Sequence, residues 1–132
     1  MKTLLIIALS CLFVIPECAA ARQQLQQTPT PEDFTIVSDR TEGGVRTIVA
    51  IPSPLVCSRK IEIKVDAGTD IIRSVVFTRG CNGNLKAVNV LLQGMSVKDA
   101  VAKLDGIMCG NRGTSCTDQL ARVLKACYKL QR

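Results

Sequence analysis

The chain predicts an α+β domain, with a small antiparallel sheet of about three strands followed by three helices packed on one of its faces. Two patterns and their order carry this. Lys60-Ile-Glu-Ile-Lys-Val-Asp66 alternates strictly, with Ile61, Ile63 and Val65 on one face and charged residues on the other, as in a strand with one buried face. From Leu85 onward the apolar residues recur instead at helical spacing, in runs separated by Gly94 and by the glycine-bearing stretch after Cys109. Strands come first and helices after.

Each element follows in turn. Arg46-Thr-Ile-Val-Ala-Ile51 is a β-branched run that ends at Pro52 and reads as the first strand. The alternating run from Lys60 is the second. Ala67-Gly-Thr-Asp70 supplies a turn, and Ile71 to Thr78 returns as the third, so residues 60–78 make an antiparallel hairpin. Leu85, Val88, Leu91 and Leu92 form the apolar stripe of the first helix, which stops at Gly94. Ser96-Val-Lys-Asp99 is a capping-box variant, and Val97, Val101 and Leu104 give the second helix its inner face. Ser115 or Thr117 can cap a last helix that turns Leu120, Val123, Leu124 and Cys127 inward. Cys127 reads as a small buried hydrophobe on that face.

Ahead of these elements the texture changes twice. Met1-Lys-Thr opens with one positive charge, Leu4 to Ile15 is apolar apart from Ser10 and Cys11, and Pro16-Glu17 precedes the small residues Cys18-Ala-Ala-Ala21. That is the pattern of a cleaved secretory signal over residues 1–21. The run is too short for a comfortable membrane span, which needs roughly 20 apolar residues. No membrane span is therefore expected in the mature chain, and its location is read as secreted or periplasmic. Residues 22–44, rich in Gln and broken by Pro29 and Pro31, read as a polar linker. The folded domain is expected over residues 45–132.

Loss of residues 1–21 takes Cys11 and Cys18 with it, leaving five cysteines, and the net charge stays at +6 because Lys2 and Glu17 both go. A small domain with no Trp must build its core from Val, Ile, Leu and Met, and such domains often need a metal or disulfides. The basic charges are scattered singly, and Tyr128 is the one exposed-type aromatic, so a base-stacking platform is missing and no nucleic-acid partner is expected. The chain has no histidine, which excludes Ser–His, Cys–His and His-ligated metal chemistry. Asp99, Asp105 and Asp118 read as helix-start or solvent residues and form no acid–base pair.

Cysteine is the residue type left for chemistry. Cys57 falls in the loop entering the hairpin, Cys81 between the last strand and the first helix, and Cys109 and Cys116 bracket a glycine-bearing loop. Such loop and helix-start positions can converge, and helix N-termini favour the thiolate form. The loop lacks the lysine and spacing of a phosphate-binding loop and reads as a ligand loop. Spacing alone leaves two uses open: a metal site or disulfides, with Cys109 and Cys116 the pair expected to oxidise first because only six residues separate them.

The blocks Val75-Val-Phe-Thr-Arg-Gly-Cys-Asn-Gly-Asn-Leu-Lys86, Gly94-Met-Ser-Val97 and Cys109-Gly-Asn-Arg-Gly-Thr-Ser-Cys-Thr-Asp-Gln-Leu120 resemble the TSCPD domain over roughly residues 46–130. Thr117 stands where the family motif has proline. The family occurs as small stand-alone proteins and as the C-terminal domain of cobalamin-dependent ribonucleotide reductases. The resemblance implies a metal site at Cys57, Cys81, Cys109 and Cys116, holding zinc or an iron–sulfur cluster, and an unidentified protein partner. It implies no reductase activity of this chain's own, because the radical-bearing barrel and cobalamin site are far larger than this chain. The alternatives are a thiol–disulfide redox module associated with ribonucleotide reduction, passing electrons through Cys109 and Cys116, or a disulfide-stabilised secreted protein. A weaker likeness to the U-type iron–sulfur scaffold proteins points to Cys57, Cys81 and Cys116 as ligands, with Cys109 as a fourth. Arg59 replaces that family's aspartate two residues after its first cysteine, which favours static binding over cluster transfer.

Overall fold

The computed structural model describes residues 34–130, so the expected signal segment, residues 1–21, and residues 22–33 of the expected linker lie outside the described residues. Four strands make one sheet: β1 (Thr35–Glu42), β2 (Val45–Ile51), β3 (Lys60–Asp66) and β4 (Ile72–Thr78), each antiparallel to its neighbour in the order β1-β2-β3-β4. Three helices follow: α1 (Asn82–Leu92), α2 (Val97–Leu104) and α3 (Cys116–Tyr128). The expected α+β arrangement of an antiparallel sheet followed by three helices is the observed one.

The extra strand is β1, inside the stretch expected to be linker. Gly43 and Gly44 form a two-residue turn between the paired Glu42 and Val45, with φ of 55° and 75°. Two adjacent positive φ angles are what a tight hairpin turn with native twist requires, and glycine adopts them without a Cβ clash. β1 is exposed along nearly its whole length, so it carries no alternating apolar signal. Its tie to the domain is polar. Arg46 on β2 grips Asp39 with Nε at 2.8 Å and Nη2 at 2.6 Å, donates to the Cys127 carbonyl at 3.1 Å, and lies 4.4 Å from the centre of the Tyr128 ring. One guanidinium thus joins both edges of the first hairpin to the end of α3.

The core lies between one sheet face and the helices. Ile48, Ala50, Ile61, Ile63, Val65, Ile72 and Val75 from the strands meet Leu92, Val97, Ala100, Val101, Leu104, Leu120, Ala121, Val123 and Leu124 from the helices, all buried. Each fully buried Ile or Leu contributes about 1.5–3 kcal/mol relative to exposure. Ser96 caps α2, accepting from the Asp99 N–H at 3.1 Å and donating to its carboxylate at 2.7 Å. Cys127 packs half-buried against the core.

The α1 stripe differs from expectation at one residue. Leu85 and Leu92 are buried, whereas Leu91 is 71% exposed. The edge strand β4 offers α1 a narrow surface that a line through Leu85, Val88 or Asn89, and Leu92 already covers, and Leu91 lies about 100° round the helix from Leu92. Asn89 uses its place in that line to accept the Val75 N–H at 2.8 Å on the outer edge of β4. The connector from α1 to α2 covers the start of that edge, through Ile72 N–H to Met95 C=O, Gly94 N–H to Ile72 C=O and Val97 N–H to Asp70 C=O, each at 2.9 Å. Among the described residues no helix is long and apolar enough to cross a membrane.

Candidate functional site

Three backbone features bring four cysteines to one end of the sheet. The first is the 52–59 loop between β2 and β3, which carries Cys57. Its Ser53 N–H donates to Gln119 Oε1 at 2.9 Å, and Arg59 N–H donates to the Thr78 carbonyl at 2.8 Å, so both ends of the loop are anchored. The second is the β4–α1 corner. Arg79 and Gly80 both take positive φ, 64° and 96°, and turn the chain so that Cys81 becomes the N-cap residue of α1. The third is the 105–115 loop. Cys109 N–H bonds the Thr114 carbonyl at 3.1 Å, and Cys116 opens α3 directly after its cap, Ser115.

Gly80 is required at its corner for two reasons. A Cβ there would sit 2.6 Å from Leu85 Cδ1 and 3.5 Å from the Ser58 backbone nitrogen, and the positive φ would strain any side chain. Gly80→Ala is therefore expected to cost roughly 1–3 kcal/mol in urea unfolding. Gly43→Ala, with a φ of 55° inside the left-handed region and open space around it, should cost less. Equal losses in the two variants would show that neither the wider φ of Gly80 nor the Leu85 contact adds to the cost.

The residues of the Thr-Ser-Cys motif and the two after Thr117 each have a physical task. Ser115 Oγ accepts the Asp118 N–H at 3.1 Å and caps α3. Thr114 Oγ1 donates to Asp118 Oδ2 at 2.6 Å and accepts from Gln119 Nε2 at 3.0 Å. Asp118 Oδ1 also accepts the Gly106 N–H at 2.7 Å, and Arg122 Nε donates to Oδ2 at 2.7 Å. Burial pushes the Asp118 carboxyl up, but the bonds from Thr114, Arg122 and Gly106 outweigh it and hold it below its ordinary value. Asp118 and Gln119 are both fully buried. Asp118 lies in the first turn of α3, as expected of a helix-start residue, but it is fully buried and not in solvent. It ties the Cys109 loop to α3, as Gln119 ties the Cys57 loop. Thr117, in the proline position of the motif, leaves this network intact and shares a 2.9 Å hydroxyl contact with Ser115.

Cys57, Cys81, Cys109 and Cys116 all line one cavity of about 170 Å³, together with Val56, Leu85, Ile107, Met108 and Arg112. Cys57 and Cys116 are half-buried, Cys81 and Cys109 exposed, and all are free thiols. Arg112 reaches across from the tip of the Cys109 loop and donates from Nη1 to Cys57 Sγ at 3.0 Å. No carboxylate lines the cavity. The charged or ionisable groups at the cavity are four thiols and one guanidinium, beside the neutral side chains of Asn84, Ser115 and Thr117; the thiols are the ligands of choice there and suit a soft metal rather than a hard one. Among the described residues no three His, Cys, Asp or Glu side chains are close enough together to hold a metal ion in this conformation. Ligation at zinc–sulfur distances of about 2.3 Å would draw the thiols further in. The glycines flanking Arg112, Gly110 and Gly113, give the Cys109 loop backbone freedom for that. The Ser58 hydroxyl, next to Cys57, is buried without a hydrogen-bond partner among the described residues.

Fold and cavity define a small α+β module with a cysteine-lined pocket at one end of its sheet. The chain belongs to the TSCPD domain family, whose model matches residues 28–128. The match starts ahead of β1, in keeping with that strand being part of the domain. No curated protein and no solved structure matches the chain.

Proposed function

We propose that this chain is a small exported TSCPD module that binds a soft metal, zinc or an iron–sulfur cluster, through Cys57, Cys81, Cys109 and Cys116. The observation that carries the reading is that these four thiols, from three separate loops, line one cavity that holds no carboxylate and one guanidinium. Bound metal would cross-link the 52–59 loop, the β4–α1 corner and the start of α3, supplying stability that a core without Trp lacks. Asp118 and Gln119 hold two of these loops in place beforehand. The chain's own chemistry is binding, with no acid–base pair in the cavity to support catalysis, so its partner is read as another protein that uses the loaded module.

Metal analysis and native mass spectrometry of protein purified under reducing conditions with zinc or iron supplied test this. The expected result is one metal centre per chain, with the visible absorbance of an iron–sulfur cluster separating the two kinds. Cys57→Ser and Cys116→Ser should lose it, while Cys127→Ala, which alters a thiol outside the cavity, should keep it. A metal-free protein that is stable in chelator and carries two disulfides by mass would overturn the reading in favour of disulfide staples. A reversible Cys109–Cys116 disulfide with no metal uptake would overturn it in favour of thiol exchange.

A further inference from the structure

We infer that Arg112 is a positioning residue for this thiol pocket: its guanidinium holds Cys57 by a direct N–H···S bond and offsets part of the negative charge that ligation builds up. The inference rests on the metal-binding reading and assigns a role to a residue that is not itself a ligand.

Cys57 and Arg112 lie 55 residues apart, on loops of different elements, yet meet at 3.0 Å across the cavity. The Cys109 loop is shaped for this reach. Gly110 and Gly113 take positive φ on either side of Arg112, and the bonds from Cys109 N–H to Thr114 C=O and from Arg112 N–H to Cys109 C=O close the loop behind it. Arg112 makes no ion pair with a carboxylate among the described residues, so its charge is directed at sulfur. Arg112 lines the same cavity as Cys81, Cys109 and Cys116 as well as Cys57.

A divalent metal held by four thiolates carries a net charge of −2, and a contacting guanidinium brings the assembly to −1. Because Arg112 is exposed, solvent screens the charge alone, and the directional N–H···S contact carries most of the effect. Partners that orient metal ligands from outside the coordination shell typically change affinity by about 10- to 100-fold. Lysine keeps the charge but loses the planar fork, so it should restore only part of the effect.

The test uses the full chain, reduced and metal-free, titrated with zinc against a chromophoric chelator. Arg112→Met is expected to bind zinc about 10- to 100-fold more weakly than the wild type, with Arg112→Lys between them. Cobalt supplies a second readout. Its sulfur-to-metal charge-transfer band should weaken in Arg112→Met toward that of Cys57→Ser, since the lost contact is to that ligand. Far-UV circular dichroism checks that the variants keep the fold, which is expected for an exposed loop-tip side chain. Should Arg112→Met not fold, the weaker binding expected of Arg112→Lys decides. Wild-type affinity and an unchanged cobalt spectrum in folded variants would overturn the inference while leaving the metal reading standing. A wild-type chain that takes up neither zinc nor cobalt would instead defeat the metal reading, and the inference with it.

Discussion

Asp118→Ala is expected to lower stability by about 3–5 kcal/mol, the cost of breaking a buried ion pair from one side. The carboxylate is fully buried and accepts from Thr114, Gly106 and Arg122. Alanine would leave the Arg122 guanidinium, itself mostly covered, without this partner and free the Gly106 end of the Cys109 loop. Chemical denaturation measures the loss, and a change under 1 kcal/mol, well below the range for such a pair, would mean that the network is not what holds the loop. The same carboxylate sets an acid dependence. Its folded-state pKa is below the ordinary 3.8, so the unfolded chain binds the proton first as pH falls. Its contribution is therefore fully present above that ordinary value and is lost as pH drops through the folded-state value. Asp39, lowered by its bond to Arg46, and Asp66, held at about 2 chiefly by Arg73, act with the same sign. The wild type should lose stability as pH falls below about 4, and Asp118→Ala should show a smaller acid loss over that window.

Gln119→Leu is expected to cost about 2–4 kcal/mol although leucine nearly matches glutamine in size and the site is fully buried. Most of the buried volume is kept while the amide's hydrogen bonds go: the Ser53 N–H loses the acceptor that anchors the Cys57 loop, and Thr114 Oγ1 loses a donor. Because the lost anchor belongs to a cysteine loop, the variant should also react faster with a thiol reagent at Cys57, followed by peptide mass mapping. Unchanged Cys57 reactivity alongside lost stability would confine Gln119 to a packing role.

The regular elements and their inner faces were legible in the chain because each has a local cause. The alternation of residues 60–66, the Ser96 and Ser115 caps, and the stripes of α2 and α3 are statements about neighbours three or four residues apart at most, and they place Ile61, Ile63, Val101, Leu120 and Leu124 in the core where they are found. β1 had a local signal, the Gly43-Gly44 turn, but its exposed and polar face gave no period to read, and its anchoring depends on Arg46 meeting Asp39 and the end of α3. Leu91 could not be separated from Leu92 by periodicity, since the width of the surface offered by β4 decides which of them is covered.

Sequence by itself determined the α+β class, three of the four strands, all three helices, the family, and which thiols stand at loops and helix starts. Only the tertiary structure decided that these four thiols line one cavity, that Asp118 is fully buried, and that Arg112 faces Cys57. The physical reason is range. Caps and amphipathic stripes are set by hydrogen bonds and side chains within one turn, whereas a cavity and the burial of a charge arise from segments tens of residues apart that meet only when sheet and helices pack.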